Sequence, residues 1–328
     1  MGRKENRYMV FDCETATLPF ANAIANGDAE KKKKIAIARP LIYDLGWTIT
    51  NRKGEIIESK QYLVAETFSV PAVFNTAYYA EKRPIYLNKL STGETVIKTW
   101  NEIMEIFNAD LQKVDAVGAY NSMFDFKKAI PFTELYIKKL YSPDYYSWEK
   151  LQRTLCEKIV SERYKKPEDK EFDPDNFSFR GRKYPLFDLW GLATAHLLNN
   201  VTYKKKCLEN DMLTASGIYF KTSAESSYRY LMDKYDFDEA HTALDDAIIE
   251  TYILSKIAKR SAITIGITFF PFKELGTTDA FVLRKKVPDT HEIEIVVQAI
   301  INGLDGKNPS AYTVRIENVI TKLEEYLV

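Results

Sequence analysis

The strongest constraint on the fold lies in the first fifteen residues, where the apolar run Tyr8-Met9-Val10-Phe11 ends in Asp12-Cys13-Glu14. A run of that kind reads as a buried strand. Side chains at i and i+2 of a strand share a face, so the two carboxylates stand side by side with Cα atoms roughly 6.5 Å apart. Cys13 then turns to the opposite, buried face, which suits a small apolar side chain. Two acids at the end of a core strand repel each other and are costly to desolvate unless a cation joins them. A hard divalent ion such as Mg2+ or Mn2+ suits oxygen ligands of this type. Two other D-x-E triplets, Asp28-Ala29-Glu30 and Asp169-Lys170-Glu171, lie in polar, lysine-rich stretches and read as solvated charge.

Lys+Arg and Asp+Glu number 46 each, so no net positive field recruits a polyanion, and any such binding rests on local patches or bound metal. Cys13, Cys156 and Cys207 form no C-x-x-C pair, which argues against a zinc site or a disulfide framework. Residues 1–7 are polar and no stretch approaches the roughly 18 apolar residues of a membrane span. These features predict a cytoplasmic protein with no membrane partner.

The pattern predicts strands over residues 7–12, 41–50 and 55–64, the last two joined by the turn Asn51-Arg52-Lys53-Gly54. A helix is expected over 94–113, with Val96, Trp100, Ile103, Phe107 and Leu111 as its buried stripe, then a strand over 115–120. Further helices are expected over 124–140 (interrupted by Pro131), 147–164, 189–198, 224–234 and 243–259, with 165–184 as a loop. At 328 residues the chain can hold one large domain with a smaller appendage. The order predicts an α/β fold, a mixed sheet of three antiparallel strands extended by parallel ones and flanked by helices. The texture changes after Arg260, which divides the chain into a domain over 1–260 and a small C-terminal accessory module over 261–328 of unknown role.

Two further segments carry candidate chemistry. Asn121-Ser122-Met123-Phe124-Asp125 follows the strand over 115–120; the asparagine amide can hold a turn that places Asp125 at a helix start. His241-Thr242-Ala243-Leu244-Asp245-Asp246 stands at the entrance to a long apolar helix. Of the three histidines only His241 has an aspartate five positions on; His196 reads as structural and His291 as a surface-loop residue. Taken singly, Asp125 also fits a plain helix-start charge, His241 a capping or surface histidine, and Asp246 an acid favoured near a helix N-terminus, a role Asp245 fits better.

Taken together, Asp12-x-Glu14, Asn121…Phe124-Asp125 and His241 five before Asp246 resemble, in order and local form, the three motifs of the DEDD exonuclease superfamily. The histidine places the resemblance in the DEDDh branch, with the proofreading subunit of bacterial replicative polymerase, exonuclease I, ribonuclease T and oligoribonuclease. The tyrosine branch would have Tyr where this chain has Thr242. The resemblance covers about residues 7–260 and implies a ribonuclease H-like fold. It implies that Asp12, Glu14, Asp125 and Asp246 hold two Mg2+ or Mn2+ ions and that His241 is the general base. The implied reaction removes nucleoside 5′-monophosphates from the 3′ end of a single strand. Thr15 would contact the terminal sugar, Leu18 would lie near the last base, and Asn121 and Phe124 would complete the substrate site.

The chain departs from the family where a Thr-Thr-Gly-like turn is common, reading Thr15-Ala16-Thr17-Leu18. The insert running to Pro40, with Lys31–Lys34, reads as a solvated face. Phe177, Phe179, Arg180, Arg182 and Lys183 combine aromatics with cations, as a single-strand grip or an ordinary loop. The chain's size relative to minimal RNA-trimming relatives favours DNA. RNA trimming is one alternative, and a subunit that docks on a polymerase or other protein through 261–328 is another.

Overall fold

The computed structural model describes residues 6–18, 41–142, 150, 154, 173–197, 200–215, 217, 219–259 and 263–266. The insert over 19–40, both solvated D-x-E triplets, Cys156, His291, nearly all of the expected helix over 147–164 and most of the module over 261–328 lie outside the described residues.

Seven strands form one mixed sheet in the order β4-β3-β2-β1-β5-β7-β6. They are β1 (Arg7–Ala16), β2 (Leu41–Asn51), β3 (Ile56–Val64), β4 (Val96–Lys98), β5 (Ala116–Ala119), β6 (Asn176–Phe179) and β7 (Arg182–Asp188). β1, β2 and β3 pair antiparallel, while β5 joins β1, β7 joins β5 and β4 joins β3 in parallel. The α/β class and the antiparallel meander extended by parallel strands are as expected. The β2–β3 turn is also as read: Gly54 takes a positive φ of 82°, and the Asn51 side chain accepts the Lys53 and Glu55 N–H groups.

The main helices are α1 (Arg83–Thr92), α2 (Trp100–Leu111), α3 (Ile130–Leu140), α4 (Leu189–Leu197), α5 (Val201–Glu209), α6 (Ala224–Met232) and α7 (Ala243–Ala258). Helices α1 and α5 are not expected from the pattern, and two expected elements are built differently. The helix expected from 94 begins at Trp100, because Thr99 and Glu102 form a reciprocal capping box and the preceding Val96–Lys98 pairs with β3 instead. Part of the expected 165–184 loop is the β6–β7 hairpin, whose turn places Arg180 and Gly181 at φ of 48° and 77°. Pro131 lies in the first turn of α3, directly after a one-turn π-helix (Asp125–Ala129).

Side-chain alternation along β1 splits the core. Met9, Phe11 and Cys13 face one layer with Phe107 and Phe126, and Tyr8 and Val10 face the other with Ile249, Ile253 and Ile257 of α7. Asp12 and Glu14 continue the second row toward the strand's C-terminal end. α7 crosses β1 and β2 on that face. Gly46, directly opposite Asp12, permits this approach: a methyl group there would collide with the Leu244 backbone nitrogen. Past residue 260 the chain still touches this sheet, since the Gly266 N–H donates to Leu186 O at 2.8 Å. Among the described residues no helix is long and apolar enough to cross a membrane.

Candidate active site

Three distant segments meet at the C-terminal end of β1. A register shift between Glu14 and Thr15 leaves Tyr43 as the extra residue on β2, a bulge at the point where the acids emerge. Asp12 and Glu14 are half-buried on the α7 face, as alternation requires. The first turn of α7 brings Asp246 beside them, and the preceding loop brings His241. One donor atom each from Glu14, His241 and Asp246 lie within 4.8 Å of one another.

Electrostatics describe a crowd of acids short of cations. Burial, then the charges of Asp246, Asp125 and Glu239, push the Asp12 carboxyl well above its usual range. Glu14 is raised by burial and by Asp12 and Asp44. Asp246 is pushed up to about 9 by burial, Glu239 and Glu14. Its Oδ1 is buried with no hydrogen-bond partner. An orphaned carboxylate oxygen among raised acids, with an imidazole nitrogen in reach, is a donor set that fits a divalent ion.

Asp125 is 3% exposed and is pushed up to about 8, chiefly by burial. It lies within electrostatic reach of Asp12 at the strand end, where Cys13 Sγ donates to its Oδ1 at 3.1 Å. Cys13 is therefore buried as expected, but it orients a candidate ligand instead of serving as an apolar filler. The turn before Asp125 is also built differently from the expectation. The Asn121 side chain makes no capping bond; its contribution is a left-handed φ of 80°, a conformation asparagine tolerates. Asp188 Oδ1 holds the turn by accepting the N–H groups of Asn121 and Ser122, and Ser122 Oγ donates to Phe187 O.

Asp245 behaves as an ordinary helix-start acid, paired with Lys89 at 2.7 Å and accepting from the Thr242 hydroxyl. Thr15 and Phe124 are half-buried near the strand end. Leu18 is wholly buried in the main core. It packs inward beside Thr17, whose N–H and C=O both bond the Thr76 hydroxyl and draw the chain back onto the fold. The aromatic part of the suggested single-strand grip lies in the core, while its cations stay at the surface. Phe177 and Phe179 are 3% and 6% exposed and pack on Phe107, while Arg180 pairs with Glu105 and Lys183 with Asp173. His196 lies half-buried on α4, in keeping with a structural role.

Several site residues escape the motif reading. Asp44 lies opposite Glu14, is fully buried and is pushed up to about 6 by burial. It accepts from Gln61 at 2.9 Å and from the Ala243 N–H at 2.9 Å, which pins the start of α7. Its signal was an acid inside the apolar run Leu41–Leu45. Glu250, one helical turn after Asp246, accepts the Tyr120 N–H at 3.1 Å and so ties α7 to the exit of β5. Glu239 is raised to about 7 by burial and Glu225, and its Oε2 lies 3.6 Å from His241 Nδ1. The His241 value is lowered, by burial first and by Lys82 second.

No protein-family model, curated protein or solved structure matches this chain.

Proposed function

We propose that this chain is a metal-dependent 3′→5′ exonuclease of ribonuclease H-like fold that acts on single-stranded ends, DNA in preference to RNA. The observation that carries the reading is convergence. Residues 12–14 and 241–246, far apart in the chain, place Glu14, His241 and Asp246 within 4.8 Å, and Asp246 Oδ1 lacks a partner there. The sheet order β3-β2-β1-β5-β7, with three antiparallel strands followed by two parallel ones, supports the ribonuclease H-like assignment.

Asp12, Glu14, Asp125 and Asp246 are the residues that would hold two Mg2+ or Mn2+ ions, which supply charge neutralisation at a phosphodiester and acidify water. His241 turns Nδ1 toward Glu239 and Asp246, at 3.6 and 3.9 Å. That environment favours the neutral tautomer with its proton on Nδ1 and leaves the Nε2 lone pair to accept a proton from water. Its lowered value, caused first by burial and then by Lys82, favours the neutral imidazole. Asp44 and Glu250 hold α7, and hence Asp246, against the strand end.

The test is digestion of matched single-stranded DNA, duplex DNA and RNA oligonucleotides with and without Mg2+ or Mn2+. Stepwise shortening from the 3′ end, fastest on single-stranded DNA and only with metal, is expected. Faster loss of RNA moves the substrate class, and no metal-dependent shortening of any strand overturns the reading.

A further inference from the structure

His241 has little of its own to hold it. Residues 234–242 form neither helix nor strand, and His241 sits at a φ of 52°, uncommon for a residue with a side chain. Rotation about the histidine Cβ–ring bond is broad, so an imidazole in such a loop is oriented by its neighbours. A general base in that position is useful only if its lone pair is aimed.

The neighbours come from one segment, Tyr79 to Lys89. The Tyr79 ring lies flat on the imidazole, with centroids 4.2 Å apart and planes 11° from parallel. Lys82 Nζ donates to Ala240 O at 2.6 Å and stands 5.1 Å from the Tyr79 ring centre. Lys89 Nζ bonds Thr242 Oγ1 at 3.0 Å and Asp245 Oδ2 at 2.7 Å. The residue before His241 and the residue after it are therefore both tied to the segment whose first aromatic covers the imidazole face. The Nδ1 edge looks toward Glu239 and Asp246, so Nε2 is on the edge that remains.

We propose that Tyr79 is a positioning residue for His241: its ring, and not its hydroxyl, sets the plane of the imidazole and so aims Nε2. The stack stands on geometry alone, while its effect on turnover rests on the exonuclease reading. The experiment uses the full chain with Mg2+ and a single-stranded oligonucleotide for turnover, together with carbon-proton NMR of labelled histidine in the metal-free or Mg2+-bound protein, the His241 signals being assigned through His241→Gln. Tyr79→Leu should lower kcat about 10- to 100-fold with KM unchanged, and Tyr79→Phe should restore it. In the spectrum the His241 ring protons should be displaced upfield in wild type and Tyr79→Phe, and return to the ordinary range in Tyr79→Leu. A Tyr79→Phe loss equal to that of Tyr79→Leu, a KM effect without a kcat effect, or wild-type ring protons at ordinary shifts would each overturn the proposal. If the wild-type protein degrades no strand, the functional reading fails and the spectrum alone decides the positioning role.

Discussion

Asp246→Asn should make the metal-free protein more stable while destroying its metal response. The carboxyl ordinarily titrates at 3.8 and is raised to about 9 in place. At pH 7.5 the unfolded chain has released that proton and the folded chain has kept it. The gap of 7.5 minus 3.8, about 3.7 units, sets a ceiling of about 5 kcal/mol on the cost of burying the group. Glu14 and Glu239 share the crowding, and an amide at this position inherits the missing partner of Oδ1. A gain of about 1–3 kcal/mol is therefore expected, or about 2–5 °C in Tm for a domain of this size. The assay is thermal melting with excess chelator, repeated with Mn2+. With chelator the variant should melt above wild type. With Mn2+ at a thousandfold excess over Kd only wild type should gain, by about 4.1 kcal/mol, and the order should reverse. A variant that melts several degrees below wild type with chelator present would refute the idea of excess anionic charge awaiting a cation.

Other expectations follow from the same geometry. Asp44, Glu239, Asp125 and Asp246, raised to values from about 6 to about 9, bind protons in the folded chain that the unfolded chain has lost. Their contribution to the stability of the metal-free protein should therefore be fully present below about pH 4 and be lost as pH rises through 6 to 9, read as a urea midpoint that falls over that window. His241→Gln should cost about 10²- to 10⁴-fold in kcat with Mn2+ affinity retained; a matching loss of affinity would make His241 a ligand instead of a base. Leu18→Ala should cost about 2–5 kcal/mol as a core truncation, whereas a raised KM at unchanged stability would return Leu18 to the substrate site.

The antiparallel meander, the strand after it and helix α7 were readable because each buries a face whose apolar spacing is written in the local sequence. Alternation placed Asp12 and Glu14 on one face and Cys13 on the other, since period two is set by the backbone. It could not show that Cys13 meets Asp125 across the strand end, because that contact joins residues 112 positions apart. The same limit hid Asp44, which reaches the site only through its register opposite Glu14, and Tyr79, whose stack on His241 is tertiary. The Thr99–Glu102 capping box and the Arg180-Gly181 turn were local signals, and they outweighed the apolar stripe and the loop-like composition around them.

That the acids at the end of β1 hold catalytic metal is tested by a single comparison. A 5′-labelled single-stranded oligonucleotide is incubated with Mn2+ and either wild type or Asp12→Ala, with folding of both confirmed by melting. A descending ladder and nucleoside 5′-monophosphates are expected from wild type, and an intact strand with Asp12→Ala. An undiminished ladder from the folded Asp12→Ala protein would contradict that role of the acids.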